Sequence, residues 1–491
     1  MTDSPATPQQ GANDPACDRL PAAEIDASLR WPVLFLFASA TAWLLIGSAF
    51  WLVAFIKFAS PGFLADTAWL TLGRVRPAAV NAFLYGCASQ AAIGVALWML
   101  CRLGGNRFVF QIPVLIATKI WNLGVTIGVV AILAGASTGF EWLEMPRYAA
   151  AFLFVSYLVI GLCAMATFQM RRHSELYPSQ WFLLAALFWF PWIYSAAQYL
   201  LVLDPVRGTL QVAVNAWFTG NFASLWLGLV ALAGIYYFLP RLTGQPLYSR
   251  ELAAFAFWTH IFFASFAGLT GLIGGPVPRW MPAVSTVANV CLLLPILCNI
   301  WNWHTTNRPV CCAWKTDVLL RFIWFGAVCY LFAGIAQAVL GLPDLAARTN
   351  LTLINVSLQT LTLHGFVGAA LFGCAYYLLP RVAQANWANA KLINLHFLCT
   401  FAGVVLMVVG FGIAGASQAA KLADAAVPVI DAIKSPFLGL ATIGLVVLIA
   451  GQCAFAVNLA KMLCAVCEPI CRKACSEVCG CAPQAKAEVK P

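Results

Sequence analysis

Near its C-terminus the chain reads LCAVCEPICRKACSEVCGCAP, with Cys464, Cys467, Cys471, Cys475, Cys479 and Cys481 falling within eighteen residues. Thiolates at that density suit a soft or borderline metal, which makes thiolate-bound zinc, Cu(I) or an iron–sulfur cluster the candidate ligands. The first pair is C-x2-C, but the later spacing matches no standard zinc finger. A spacing of four places Cys467, Cys471, Cys475 and Cys479 on one helical face. Arg472 and Lys473 beside them favour the thiolate form. Surface packing or S-acylation is the plainer reading of the same residues.

Histidine is the other candidate ligand, and there are five. His173, His304 and His396 lie close to the ends of apolar runs. Only His260 and His364 fall near the middle of such runs, where an imidazole is either a cofactor ligand or a satisfied structural group. If the two runs flank one interior pore, the pair can share a ligand or bond each other. Lys119 is a third polar residue at depth. A centred ammonium costs about 2.5–3.5 kcal/mol on insertion scales, so Lys119 either snorkels to the interface or faces a polar pathway inside the protein. The nine cysteines inside apolar runs are scattered singly and read as small packing residues.

The elements that carry these residues are membrane helices. The chain has 491 residues, is 62% hydrophobic and only 9% charged, and its mean hydropathy is +0.84. No soluble domain of this length has that composition. Apolar runs give twelve spans, at 31–56, 78–103, 109–134, 148–170, 180–203, 209–239, 251–274, 280–303, 318–341, 350–379, 391–416 and 435–463. They must be helical because lipid offers no partner to a backbone amide. The fold class is therefore an all-α polytopic membrane protein with three segments. Residues 1–30 read as a flexible cytoplasmic tail without a signal-peptide pattern, 31–463 as the membrane domain, and 464–491 as a Cys-rich cytoplasmic tail. With both termini inside, seventeen Lys and Arg fall on inner segments against nine on outer loops, the asymmetry of a bacterial inner-membrane protein. The net charge of +10 is spread over short loops, so it speaks for the lipid bilayer as partner and not for nucleic acid. There is no phosphate-binding loop, dinucleotide fingerprint or HExxH.

Several motifs occur in a fixed order along these spans. LGRVRP (72–77), MRRHSELYPSQWF (170–182), YYFLPR (236–241), YYLLPR (376–381), NLHFLCTFAGVVL (394–406) and the run 435–463 together resemble subunit I of the cbb3-type cytochrome c oxidases, in the haem–copper oxidase superfamily. The resemblance implies a twelve-helix subunit I-like bundle, a place in a respiratory complex with other subunits such as a c-type cytochrome, and haem and copper in the interior. At the positions that carry those cofactors in the family this chain departs. Ala79 stands for the haem-ligating His after Arg76-Pro77. Gly220, Thr270 and Gly271 stand for the copper ligands, and Ala264 for the cross-linked Tyr. Leu358, Gln359 and Thr360 stand for the H-V-H of span ten. Two haems and a copper need six imidazoles in that family, one more than the chain contains.

The sequence therefore predicts a subunit I-like protein with no cofactor in the membrane domain and no catalytic site, serving a structural, assembly or regulatory role or transport through the emptied pore. Two other readings stand beside it. One is an active oxidoreductase, of cytochrome c oxidase or nitric oxide reductase type, with haem b held by His260 or His364 or with cofactors from partner subunits. The other is a copper-handling membrane protein, resting on the thiol tail.

Overall fold

The computed structural model describes residues 20–310, 313–315, 317–424 and 436–479. Cys481, the last thiol of the tail, lies outside them. Among the described residues there are twelve helices long and apolar enough to cross a membrane: Arg30–Phe58, Leu72–Gly104, Gln111–Ala134, Arg147–Gln169, Pro178–Leu203, Leu210–Thr243, Arg250–Leu272, Trp280–Val310, Val318–Leu340, Leu353–Ala383, Ala390–Leu422 and Phe437–Pro469. They are numbered one to twelve below. Their order and approximate bounds match the apolar runs, because a run of twenty-odd apolar residues is a local signal that no tertiary contact overrides.

Three spans form the centre. The most apolar windows of spans two, six and ten are buried over 94%, 89% and 78% of their length, against 33–56% for the other nine. Each central span changes to π-helical hydrogen bonding midway, at Ala82–Ala88, Phe222–Leu227 and Leu361–Gly368. Such turns insert a residue into the helical ladder and occur often at functional sites. Each central span then ends in a left-handed cap, at Gly105 (φ 67°), Gly244 (φ 67°) and Gln384 (φ 55°). Glycine takes that conformation without cost. Gln384 is instead held by Arg30, which donates to its Oε1 at 2.5 Å and to the Val382 and Ala383 carbonyls at 3.2 and 3.1 Å. Trp98 of span two stacks on Phe238 of span six (centroids 6.1 Å) and meets Tyr377 of span ten edge-on (6.0 Å), so aromatic rings tie the three together near these caps.

Two edges of the predicted segments differ from the structure. Part of the N-terminal tail is folded: a short helix, Ala22–Ser28, packs under spans two and ten. Ile25 and Leu29 are buried, and Asp26 accepts from Trp98 Nε1 at 2.9 Å and pairs with Arg102 at 3.7 Å. We call this side the N-terminal face. At the other end, the helix of span twelve continues to Cys479, well beyond 463. Most of the thiol tail thus prolongs a helix and does not form a separate unit.

Candidate functional site

Spans six and seven meet backbone to backbone. Span seven is α-helical only over Arg250–Ala264. It then unwinds into a turn and a short 3-10 segment, Leu269–Leu272. The amide of Leu269 is satisfied by Ser285 Oγ (3.0 Å) and the Thr270 carbonyl by Asn350 Nδ2 (3.0 Å), which lets irregular backbone sit at this level. Gly268 turns with φ 106° and lies against Gly220 of span six. A Cβ at Gly220 would stand 2.9 Å from Gly268 Cα and 3.1 Å from the Ala267 carbonyl oxygen, and a Cβ at Gly268 would meet the Ala216 carbonyl at 2.8 Å. Side-chain atoms of any kind are excluded there. Ala264 and Ala79 are fully buried, and Thr360 bonds its own helix through the Val356 carbonyl at 2.8 Å. Leu358 and Thr270 are partly exposed, and a Cβ at Gly271 would meet nothing within 4 Å. None of these side chains offers an imidazole nitrogen to a metal, so the residues present do not fit the haem–copper pair that the motif positions imply.

The two mid-membrane histidines occupy different places, and no hydrogen bond or ring contact joins them. His260 is buried, with Nδ1 3.4 Å from Tyr330 Oη, and Tyr330 in turn accepts from Asn299 Nδ2 (3.2 Å), whose Oδ1 accepts from Tyr236 (2.6 Å). Its Nε2 faces the Ser224 backbone without a hydrogen bond of standard geometry. His364 sits on the π-turn of span ten and opens into a cavity of about 50 Å³ between spans one, two, ten, eleven and twelve. Its ring lies edge-on to Phe83 of span two at 4.6 Å.

His396 lies near the start of span eleven, as its place in the sequence suggests, but it is fully buried, 2.8 Å from Tyr376 Oη and packed against Phe372 and Phe455. His173 and His304 are exposed, as their positions suggest. Lys119 is also exposed, on the outer surface of span three, so the interior-pathway reading fails for it. Its Cα–Cβ bond tilts toward Gln111, the nearer helix end, which is the direction a snorkelling ammonium needs. Cys464 and Cys467 are exposed on the helix extending from span twelve, and Cys471, Cys475 and Cys479 follow along the same helix. Among the described residues no three His, Cys, Asp or Glu converge closely enough to hold a metal ion.

Sequence reasoning missed a polar cap on the face opposite the N-terminal helix. The loop between spans three and four tucks under the central spans. Tyr85 of span two donates to the Trp142 carbonyl (2.6 Å), and Trp142, left-handed at φ 67°, packs on Phe222 of span six. Asn215 of span six exchanges two hydrogen bonds with the Glu141 backbone (3.1 and 2.9 Å), and Gln359 of span ten donates to the Glu141 carboxylate at 3.3 Å. Asn81, two residues past Ala79, donates to the buried Glu144 at 2.7 Å. Burial pushes the Glu144 carboxyl up to about 7, against the opposing pull of that hydrogen bond. The signal was present: Trp142, Leu143 and Met145 are too apolar for an open loop.

A family model for cytochrome C and quinol oxidase polypeptide I matches residues 32–459. The chain belongs to that family. Among its relatives, the cytochrome c oxidase subunit 1 homolog, bacteroid, of Bradyrhizobium diazoefficiens is 24% identical over 414 residues, covering 81% of this chain and 75% of the relative. The cbb3-type cytochrome c oxidase subunit CcoN1 of Stutzerimonas stutzeri is 23% identical over 396 residues, 77% and 81% of the two chains. The fold is that of a heme-copper terminal oxidase dimer solved by cryo-EM, with TM-score 0.68 and 15% identity over 88% of this chain and 84% of the other. The twelve-helix subunit I-like bundle of this oxidase family is therefore the chain's architecture, and it is a multi-pass membrane protein.

Proposed function

We propose that this chain is a subunit I-type membrane scaffold that has given up the family's oxygen chemistry. It keeps the twelve-helix architecture without the haem–copper centre and serves a respiratory complex in a structural, assembly or regulatory role. The observation that carries this reading is the contact of Gly220 with Gly268, where a ligand-bearing side chain would collide with backbone. The replacement of nitrogen donors by Ala79, Leu358 and Thr360 supports it, since an imidazole lone pair is what binds haem iron or copper. In this reading the protein lies in a bacterial inner membrane with both termini cytoplasmic, in accord with the distribution of Lys and Arg. Its partners are other respiratory subunits, reached through the outer faces of the bundle.

The test is a reduced-minus-oxidised visible spectrum of the purified protein, with extraction and quantification of haem and measurement of oxygen uptake. The expected result is no haem band and no uptake. Stoichiometric haem together with oxygen consumption by this polypeptide alone would overturn the proposal.

A further inference from the structure

The cavity beside His364 is built differently from the rest of the interior. It lies where two π-helical turns face each other, Ala82–Ala88 of span two and Leu361–Gly368 of span ten. Cys87 comes from the first and His364 from the second, and both line the same space. Phe83, one turn before Cys87, is the residue whose ring meets His364. The histidine makes no hydrogen bond among the described residues. Thr400 of span eleven also lines the cavity, and its buried Oγ1 has no partner either. The amide in the wall, Gln452, has its oxygen engaged by Ser48 at 2.5 Å. An apolar pocket thus presents a thiol, a half-buried imidazole without a hydrogen bond and a buried unpartnered hydroxyl, and a buried polar group in that last condition asks for a ligand.

From this arrangement we infer that the cavity is a Cu(I) site, with Cys87 Sγ and His364 as its two ligands. Sulfur and imidazole nitrogen are the donors that select a soft monovalent ion. Zinc calls for four ligands or three with a water, and with a single thiolate it would leave a net positive charge in an apolar wall, which costs heavily. Cu(I) with one thiolate is neutral. On binding, the Cys87 S–H bond breaks, the S–Cu bond forms and the proton goes to solvent. Copper stays in the +1 state throughout and no electron moves. A space of about 50 Å³ exceeds the roughly 10–15 Å³ that one water-sized body requires, so the cavity has room for one ion. The site is separate from the Gly220–Gly268 contact, and the inference does not depend on the scaffold reading, since haem and Cu(I) are measured apart.

The experiment uses the full chain in detergent with all six tail cysteines replaced by Ser, titrated anaerobically with Cu(I) against bicinchoninate. One ion per chain held in competition with the chelator is expected. Copper-edge X-ray absorption should then show a low-coordinate shell containing both sulfur and imidazole nitrogen. Cys87→Ser and His364→Leu, made in that background, should each weaken binding by more than the roughly 10–100-fold that loss of a supporting group costs. Cys374→Ser, a buried thiol elsewhere, should leave it unchanged. No uptake, a sulfur-only shell, or retention of affinity in either ligand variant would overturn the inference. The absorption spectrum of the parent decides the question even if a variant fails to fold.

Discussion

The two flanks of the central spans are packed in opposite ways. Toward span seven, span six is closed by glycine on glycine, with no volume left. Toward spans one and twelve, the pair of spans two and ten encloses an aromatic-walled cavity whose imidazole and hydroxyl are uncommitted. On the scaffold reading, an interior without the family's metal ligands need not collapse evenly. Where backbone can approach backbone, dispersion contacts seal the gap. Where bulky rings stand off from one another, space and polar atoms persist.

That contrast can be broken on its closed flank. Gly220→His restores the family's residue type but sets Cβ against Gly268 Cα, an atom that cannot rotate away. We expect a loss of about 3 kcal/mol or more, read as a lower thermal midpoint and loss of the monodisperse peak in detergent. Gly271→Ala, at a neighbouring position with open space, should change stability by less than about 0.5 kcal/mol. Equal tolerance of both would contradict the backbone seal.

A second test concerns the loop that caps the central spans. Glu144 titrates near 7 when docked and near 4.5 when free. Its folded form binds the proton more tightly, so docking is strongest below about 4.5 and weakens as pH rises through 7, by roughly 3 kcal/mol in all. The charged Glu141 on the same loop opposes ionisation, while the neutral Asn81 amide of span two and backbone hydrogen bonds at Glu144 and Trp142 favour it. Thermal midpoints between pH 5 and 8.5 should fall for the natural protein and stay flat for Glu144→Gln. Parallel slopes would show that another group controls the loop. A smaller effect than either loss belongs to the open flank. Thr400→Val removes an unpartnered hydroxyl at nearly constant volume and should raise stability by about 1 kcal/mol, whereas a loss would mean that the hydroxyl has a partner.

What the sequence revealed follows from how local each signal is. The twelve spans were legible because apolar length and punctuating prolines act over twenty residues. Ala79, Gly220 and Thr360 could be set against the family's ligand positions because their distances from Arg76-Pro77, YYFLPR and YYLLPR are fixed along the chain. Rotation of a helix about its axis was not. Spans two, six and ten are apolar on nearly every side, so no hydrophobic stripe tells which way His364 or Cys87 points. For the same reason the sequence could not separate His260 from His364. The burial of His396 depends on its aromatic neighbours, and the docking of Glu144 under Asn81 joins residues 63 apart.

The close approach of Gly220 to Gly268 also bears on descent. Any lineage starting from this polypeptide and regaining a copper centre would have to move the unwound end of span seven before a histidine at 220 became tolerable. The first step alone would be useless and the second alone harmful. On the scaffold reading proposed above, geometry at this spot bars an easy path back to an oxidase.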